Sequence, residues 1–288
     1  MTKTLMDTPG SADSETLQAL LRQRYGTVSA PETAIDARSF NDVIRTLLEH
    51  RSVRAYSDQP LPDDILDTIS AAAQSASTSS NLQAWSVVAV RDTARKERLA
   101  ACAGNQKHVA KAPLLLVFIA DLSRLRRVSE AQGLEPVGLE YLEAFLVAVA
   151  DAAFAAQNTV IALESIGLGC CYIGGMRNRP ELVAEELGLP AEAFAVFGLT
   201  VGYPDPNVVT DIKPRLAAPV VMHLERYEPE AIDALTRYDR AMNDFQRIQQ
   251  LPEFNWTAQA SRRVRGPEAL SGRDRLVSAL QTLGFGLK

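Results

Sequence analysis

The chain has few cysteines and histidines, three of each in 288 residues. It also lacks any apolar run of about 18 residues or more, the length a spanning helix needs. Cys102, Cys170 and Cys171 make an odd set with no CxxC, and the adjacent pair cannot form an ordinary bridge with each other. A disulfide scaffold is excluded, and reduced thiols in a cytoplasmic protein are expected. His50, His108 and His223 lie far apart and no HExxH or Cys/His spacing occurs, so no zinc site is expected. GxSxG and GxxxxGK[ST] are both missing, which removes the common hydrolase and NTPase signatures. Met1 to Ser14 is polar without a signal-like apolar stretch, so neither secretion nor membrane spanning is expected. A net charge of -5 and a pI of about 5.4 leave no general basic footprint for nucleic acid.

What is present is an apolar content of 47%, enough for a substantial core in one large domain or two ordinary ones. Residues 1–38 read as an extension: a short amphipathic helix from Glu15 to Arg24 with Leu17, Leu20 and Leu21 on one face, then a linker containing Pro31. Packing on a partner, or mobility, is the expectation for it. Helical spacing predicts helices over 39–49, capped by Ser39 or Asn41, over 63–73, 93–102 and 180–187, and over the long stretch 140–165. That last helix is apolar nearly all round, which predicts burial on two sides. Strands are predicted at 85–90, 114–120, 170–173 and 195–202, the second being the most apolar run of the chain. Residues 121–138 read as a long excursion, 226–247 as a charged helix, the next stretch through Trp256 as irregular, and 273–283 as a short helix.

Several clusters carry chemistry. His50-Arg51-Ser52-Val53-Arg54 gathers two guanidinium groups, an imidazole and a hydroxyl after a helix. Arginine offers planar, permanently charged donation that suits phosphate or carboxylate. A solvated basic face at a helix C-terminus is the alternative, and the motif alone does not decide. Gln74 to Gln83 is a run of small hydroxyl and amide residues, held between a helix and a strand. Gly174-Gly175 follows a strand and lets backbone approach a ligand, but it does not make a GxGxxG fingerprint. Lys213-Pro214-Arg215 is a second basic pair stiffened by proline. No acid–base or nucleophilic set stands out, which points to chemistry carried by a phosphorylated cofactor.

The order HRSVRAYSDQPL, SASTSSNLQAW, GNQKHVAKAP, a long alanine-rich helix, GLGCCYIGGMRN and KPRL resembles the FMN-dependent nitroreductase family. Within it the match is to the oxygen-insensitive NADPH nitroreductase and flavin reductase branch, over about residues 40–225. Each motif is weak alone, and six in order are specific. The resemblance implies an α+β fold with a central, mostly antiparallel sheet flanked by helices, in a domain-intertwined homodimer. It divides the chain into an extension at 1–38, an FMN-binding core at 39–225 and a C-terminal helical extension at 226–288 packing on the partner.

By the same resemblance, His50, Arg51, Ser52 and Arg54, with Lys213 and Arg215, hold the FMN phosphate and ribityl chain. Ser79, Ser80, Asn81, Gln83 and Gln106 belong to the flavin site. Tyr172, Ile173, Gly174 and Gly175 run beside the isoalloxazine, with Arg177 nearby. The implied reaction is ping-pong: NADPH or NADH reduces FMN, and a nitroaromatic, quinone or flavin is then reduced at the same place. No metal, nucleic acid or membrane partner is implied. A flavin-binding module without turnover, or a specialised flavoenzyme such as a reductive dehalogenase, is the alternative. Relatives of this branch often grip the NADPH 2′-phosphate with an arginine-rich loop. Here residues 245–256 offer Arg247, with Pro252 and Glu253 where further basic residues are expected.

Overall fold

A computed structural model describes residues 11–26, 35–229 and 232–288. In chain order the described helices are α1 (Ser11–Tyr25), α2 (Asp42–Glu49), α3 (Ile65–Gln74), α4 (Thr93–Cys102), α5 (Lys107–Lys111) and α6 (Ser123–Ala131). They continue with α7 (Leu142–Ser165), α8 (Pro180–Leu187), α9 (Ala218–Val221), α10 (Ile232–Ile248), α11 (Trp256–Arg263) and α12 (Leu276–Thr282). The strands are β1 (Trp85–Val90), β2 (Leu114–Asp121), β3 (Gly169–Ile173) and β4 (Ala193–Gly202). The chain forms two compact units, Met1–Arg51 with Val209–Arg265, and Ser52–Val208 with Gly266–Lys288.

The second unit holds the sheet, in the order β1-β2-β4-β3 with every pair antiparallel. β2 is buried at every residue. Its Leu114, Leu116, Phe118 and Ala120 enter one apolar cluster, and Leu115, Val117 and Ile119 enter the other. Alternation along a strand sends neighbours to opposite faces, so the sheet is covered on both. α3, α7 and α12 lie on the first face, and α4 and α8 on the second. α7 presents Ala148, Ala152, Ala155 and Ala156 inward, which lets the helix approach the sheet closely. Beside these alanines Phe145, Val149, Val160 and Leu163 also pack inward, and Leu142, Leu146 and Phe154 are left exposed. Of the apolar stripe along this helix, only its first turns at Leu142 and Leu146 leave the core. Gly266–Lys288 closes this unit: Phe285 is buried, edge-on to Phe145 at 5.3 Å. The expected excursion at 121–138 contains α6, started where Asp121 accepts from the Ser123 amide and hydroxyl.

In the first unit, α1 buries Leu17, Leu20 and Leu21 within its own chain rather than offering them to a partner. α2 starts at Asn41, whose side chain accepts from the Ile44 amide. α11 begins at Trp256, where the stretch that reads as irregular ends, and no element is expected over it. Its start is fixed from a distance by Asp239 of α10, which accepts from the Thr257 amide at 2.9 Å.

Ser52 forms a parallel bridge to Cys170 at the outer edge of β3, and the Val53 amide donates to Cys170 O at 2.9 Å. Val53 is buried over Gly169, where any Cβ would lie 2.6 Å from a Val53 methyl. Gly169→Ala should lower the free energy of unfolding by about 1–3 kcal/mol through overpacking. Urea denaturation measures it, with an unchanged m-value expected.

Candidate functional site

The bridge at the β3 edge sets the direction of the residues around it. With Val53 turned inward, its neighbours Ser52 and Arg54 are exposed, as strand alternation requires. The Tyr56 hydroxyl donates to Val53 O at 2.8 Å and lies 2.6 Å from Thr200 Oγ1, so this segment is fastened to β4 as well. At the other end of β3, Tyr172 is partly exposed and Ile173 is buried before the chain enters the turn Gly174–Asn178.

Gly175 cannot be replaced without movement. A Cβ there would lie 2.5 Å from Ala103 O and 2.9 Å from the Gln106 amide nitrogen, which itself donates to Ala103 O at 2.8 Å. The glycine thus brings the YIGG turn onto the GNQ turn. His108 stands close enough to Arg54 for that charge to act on it: burial first, then Arg54, holds its pKa below 6.5. Arg54, Gln106 and the Tyr172–Gly175 turn therefore share one region of this unit.

Arg177 has an internal role. The register of β2 against β4 shifts between Phe118 and Ile119, from Phe197 to Ala195, and leaves Val196 at a bulge. The Arg177 guanidinium donates to Val196 O. A carbonyl removed from the ladder is thereby satisfied.

The serine-rich loop is pinned by a residue that the motifs did not single out. Asp151, fully buried in the middle of α7, accepts from the Ser79 amide at 3.0 Å and the Ala84 amide at 3.1 Å. Between these anchors Ser80, Asn81 and Gln83 take left-handed φ values of 48°, 54° and 51°. Such a run is strained for residues other than glycine and persists only where its ends are fixed. An acid in the apolar first half of the helix, away from Glu143 and Glu164 at its ends, was the available signal. The loop feeds β1 at one edge of the sheet, whereas Tyr172–Gly175 follows β3 at the other. Three strand spacings, roughly 14 Å, separate those edges.

In the first unit, Arg24 joins the remaining basic residues. Its guanidinium donates to Leu48 O at 2.7 Å, His50 O at 2.9 Å and Lys213 O at 3.2 Å. His50-Arg51 and Lys213-Pro214-Arg215 are thus neighbours. Arg51 Nε donates to Thr210 Oγ1 at 3.2 Å, the Lys213 ammonium lies 6.0 Å from the Phe245 ring centroid, and the Arg215 guanidinium rests on Lys213 O and Pro214 O at 3.1 and 3.3 Å. Lys213 and Arg215 are exposed and can turn toward an anion. Nothing in the sequence pattern pointed to Arg24.

Exposed cations are gathered in the first unit, and small hydroxyls, amides and a glycine turn in the second, residue types that suit a phosphorylated ring cofactor. The Nitroreductase family matches residues 47–203, and the C-terminal domain of that family matches residues 213–288. The chain belongs to the nitroreductase family. It is 42% identical over 212 residues to FMN reductase (NADPH) of Bacillus subtilis, covering 72% of this chain and 84% of that protein. It is 42% identical over 203 residues to the oxygen-insensitive NADPH nitroreductase of Salmonella typhimurium, covering 70% and 81%. Nitroreductase A of Vibrio parahaemolyticus superposes with a TM-score of 0.79 at 35% identity, over 87% of this chain and all of that one.

Asp151→Ala leaves two loop amides without an acceptor and should cost about 1–3 kcal/mol. Hydrogen exchange at Ser79 and Ala84 should accelerate ahead of exchange in β2.

His108 gives a pH dependence of definite sign. Its folded pKa lies below the unfolded value of 6.5, so its contribution to stability is complete above about pH 6.5 and is lost as pH falls through the folded pKa. His108→Gln should flatten that part of the stability profile, measured by urea unfolding between pH 5 and 8.

Proposed function

We infer that the chain is an FMN-dependent oxidoreductase that takes reducing equivalents from NAD(P)H and passes them to a nitroaromatic, quinone or flavin. The observation that carries this reading is the placement of His50-Arg51 against Lys213-Pro214-Arg215 in a chain of this family. Bound FMN would supply the hydride acceptance and release on which the reaction depends. His50, Arg51, Lys213 and Arg215 supply fixed positive charge suited to a phosphate, while Ser52 and Arg54 add exposed donors. Gln106, Tyr172, Ile173, Gly174 and Gly175 suit the ring, Gly175 bringing the turn and Gln106 side by side. Burial raises the Tyr172 phenol well above its ordinary pKa, so it stays a neutral donor in the working range. Arg177 supports the turn from within through Val196.

The active form is a homodimer. In a single chain Ser79, Ser80, Asn81 and Gln83 stand at the opposite sheet edge from the Tyr172–Gly175 turn, and a second copy can supply them. The exposed Leu142, Leu146 and Phe154 of α7 provide apolar surface for that association. The working compartment is the cytoplasm, where Cys102, Cys170 and Cys171 stay reduced.

Reductant choice is not restricted to NADPH. Arg247, the candidate for a 2′-phosphate contact, is paired with Asp244 at 3.1 Å and Glu253 at 3.2 Å. A 2′-phosphate would have to displace two carboxylates to reach it.

Purified protein should be yellow, and Arg51→Ala with Arg215→Ala should abolish FMN retention on gel filtration. In anaerobic stopped flow both NADPH and NADH should bleach the flavin. A flavin bound but bleached by neither would establish the non-catalytic module instead, and full FMN occupancy in the double variant would overturn the site.

A further inference from the structure

We propose that Arg24, on the N-terminal helix α1, is a positioning residue that sets the two basic segments for a phosphate monoester. The proposal rests on the flavin reading and assigns to α1 a part in cofactor selection.

Arg24 is only 8% exposed, and its guanidinium fork reaches three carbonyl oxygens from two distant stretches of chain. Two belong to Leu48 and His50 at the end of α2, and the third belongs to Lys213. The backbone of Arg24 adds a fourth link, because its carbonyl accepts from the Arg215 amide at 2.7 Å. One residue therefore fixes both the residue preceding Arg51 and the residues on either side of Pro214. The Tyr238 hydroxyl, donating to Pro214 O at 3.0 Å, backs the second segment from α10.

Electrostatics give the arrangement its purpose. His50 is the C-cap of α2, so the basic motif starts where the helix dipole is negative and the last carbonyls lack helical partners. An anion placed there meets repulsion from those oxygens. A buried cation that collects Leu48 O and His50 O reverses the local field and keeps both oxygens turned toward itself. Arg51, Lys213 and Arg215 then meet a phosphate without these backbone oxygens opposing it. Lysine at position 24 keeps the charge but not the planar fork, so it cannot hold three carbonyls from two segments equally well.

Phosphate recognition is separable from ring recognition by comparing FMN with riboflavin, which lacks the phosphate. Flavin-stripped full-length protein is titrated with each while flavin fluorescence is followed. Wild-type protein should prefer FMN. Arg24→Met should weaken FMN by about tenfold or more and leave riboflavin within about twofold. Arg24→Lys should fall between them, and it carries the comparison if the methionine variant does not fold. A wild-type ratio of FMN to riboflavin affinity in the folded variants overturns the proposal, as does an equal loss for both ligands. Wild-type protein that binds neither flavin fails the flavin reading itself, a different result from either.

Discussion

A strand buried at every position needs cover on both faces and a partner on both sides, and β2 imposes that demand on everything around it. Its alternate residues feed two apolar clusters, so helices must lie above and below the sheet. β1 and β4 then take its two hydrogen-bonding sides, and β3 can only lie beyond β4. The residues with chemical potential are displaced to the margins: the HRSVR bridge to the outer edge of β3, the serine loop to the entry of β1. Asp121 ends β2 with the same economy. Burial opposes its charge, but donors from Ser123 and Ser86 and the nearby Arg124 outweigh it and hold the carboxyl below its ordinary pKa.

Around that apolar frame, single polar side chains satisfy the backbone groups that regular ladders leave open. Asp151 takes two loop amides, Arg177 takes the bulge carbonyl, and Arg24 takes two carbonyls at the end of α2 and a third at Lys213. Each such bond is worth more where water is excluded than it would be at the surface, and each would be costly to lose. In the serine loop, three left-handed residues within four positions are held between the two amides fixed by Asp151.

The strands and most helix limits were legible because they depend on local pattern. β1, α4 and α8 match the sequence reading residue for residue, and Gly188 ends α8 in the left-handed conformation expected of it. The family motifs likewise placed the basic clusters and glycine turn. Tertiary causes were not legible. On α7 the spacing of large apolar residues finds Phe145, Val149, Val160 and Leu163 on the packed side, but it overlooks the alanines and Asp151 beside them. α11 was missed because the acid that starts it, Asp239, sits on α10. Arg24 was invisible because its partner Lys213 lies 189 residues away and both ends of the bond use backbone or a long side chain that patterns do not register.

α7 also carries bulk on its outer side, beyond the Phe145, Val160 and Leu163 that it turns inward. A monomeric amphipathic helix turns its large apolar residues inward, yet here the alanines face the sheet and Leu142, Leu146 and Phe154 face outward. Close approach to the sheet explains the alanines, but it gives no reason for the bulk outside. Association of two copies through this face supplies one, since it returns that surface to an apolar environment. The same helix holds the serine loop through Asp151, so the element that would form the dimer contact also fixes the loop that a second copy would receive. The outward apolar face and the loop geometry are thereby tied to one helix: any shift of α7 would carry Ser79 and Ala84 with it.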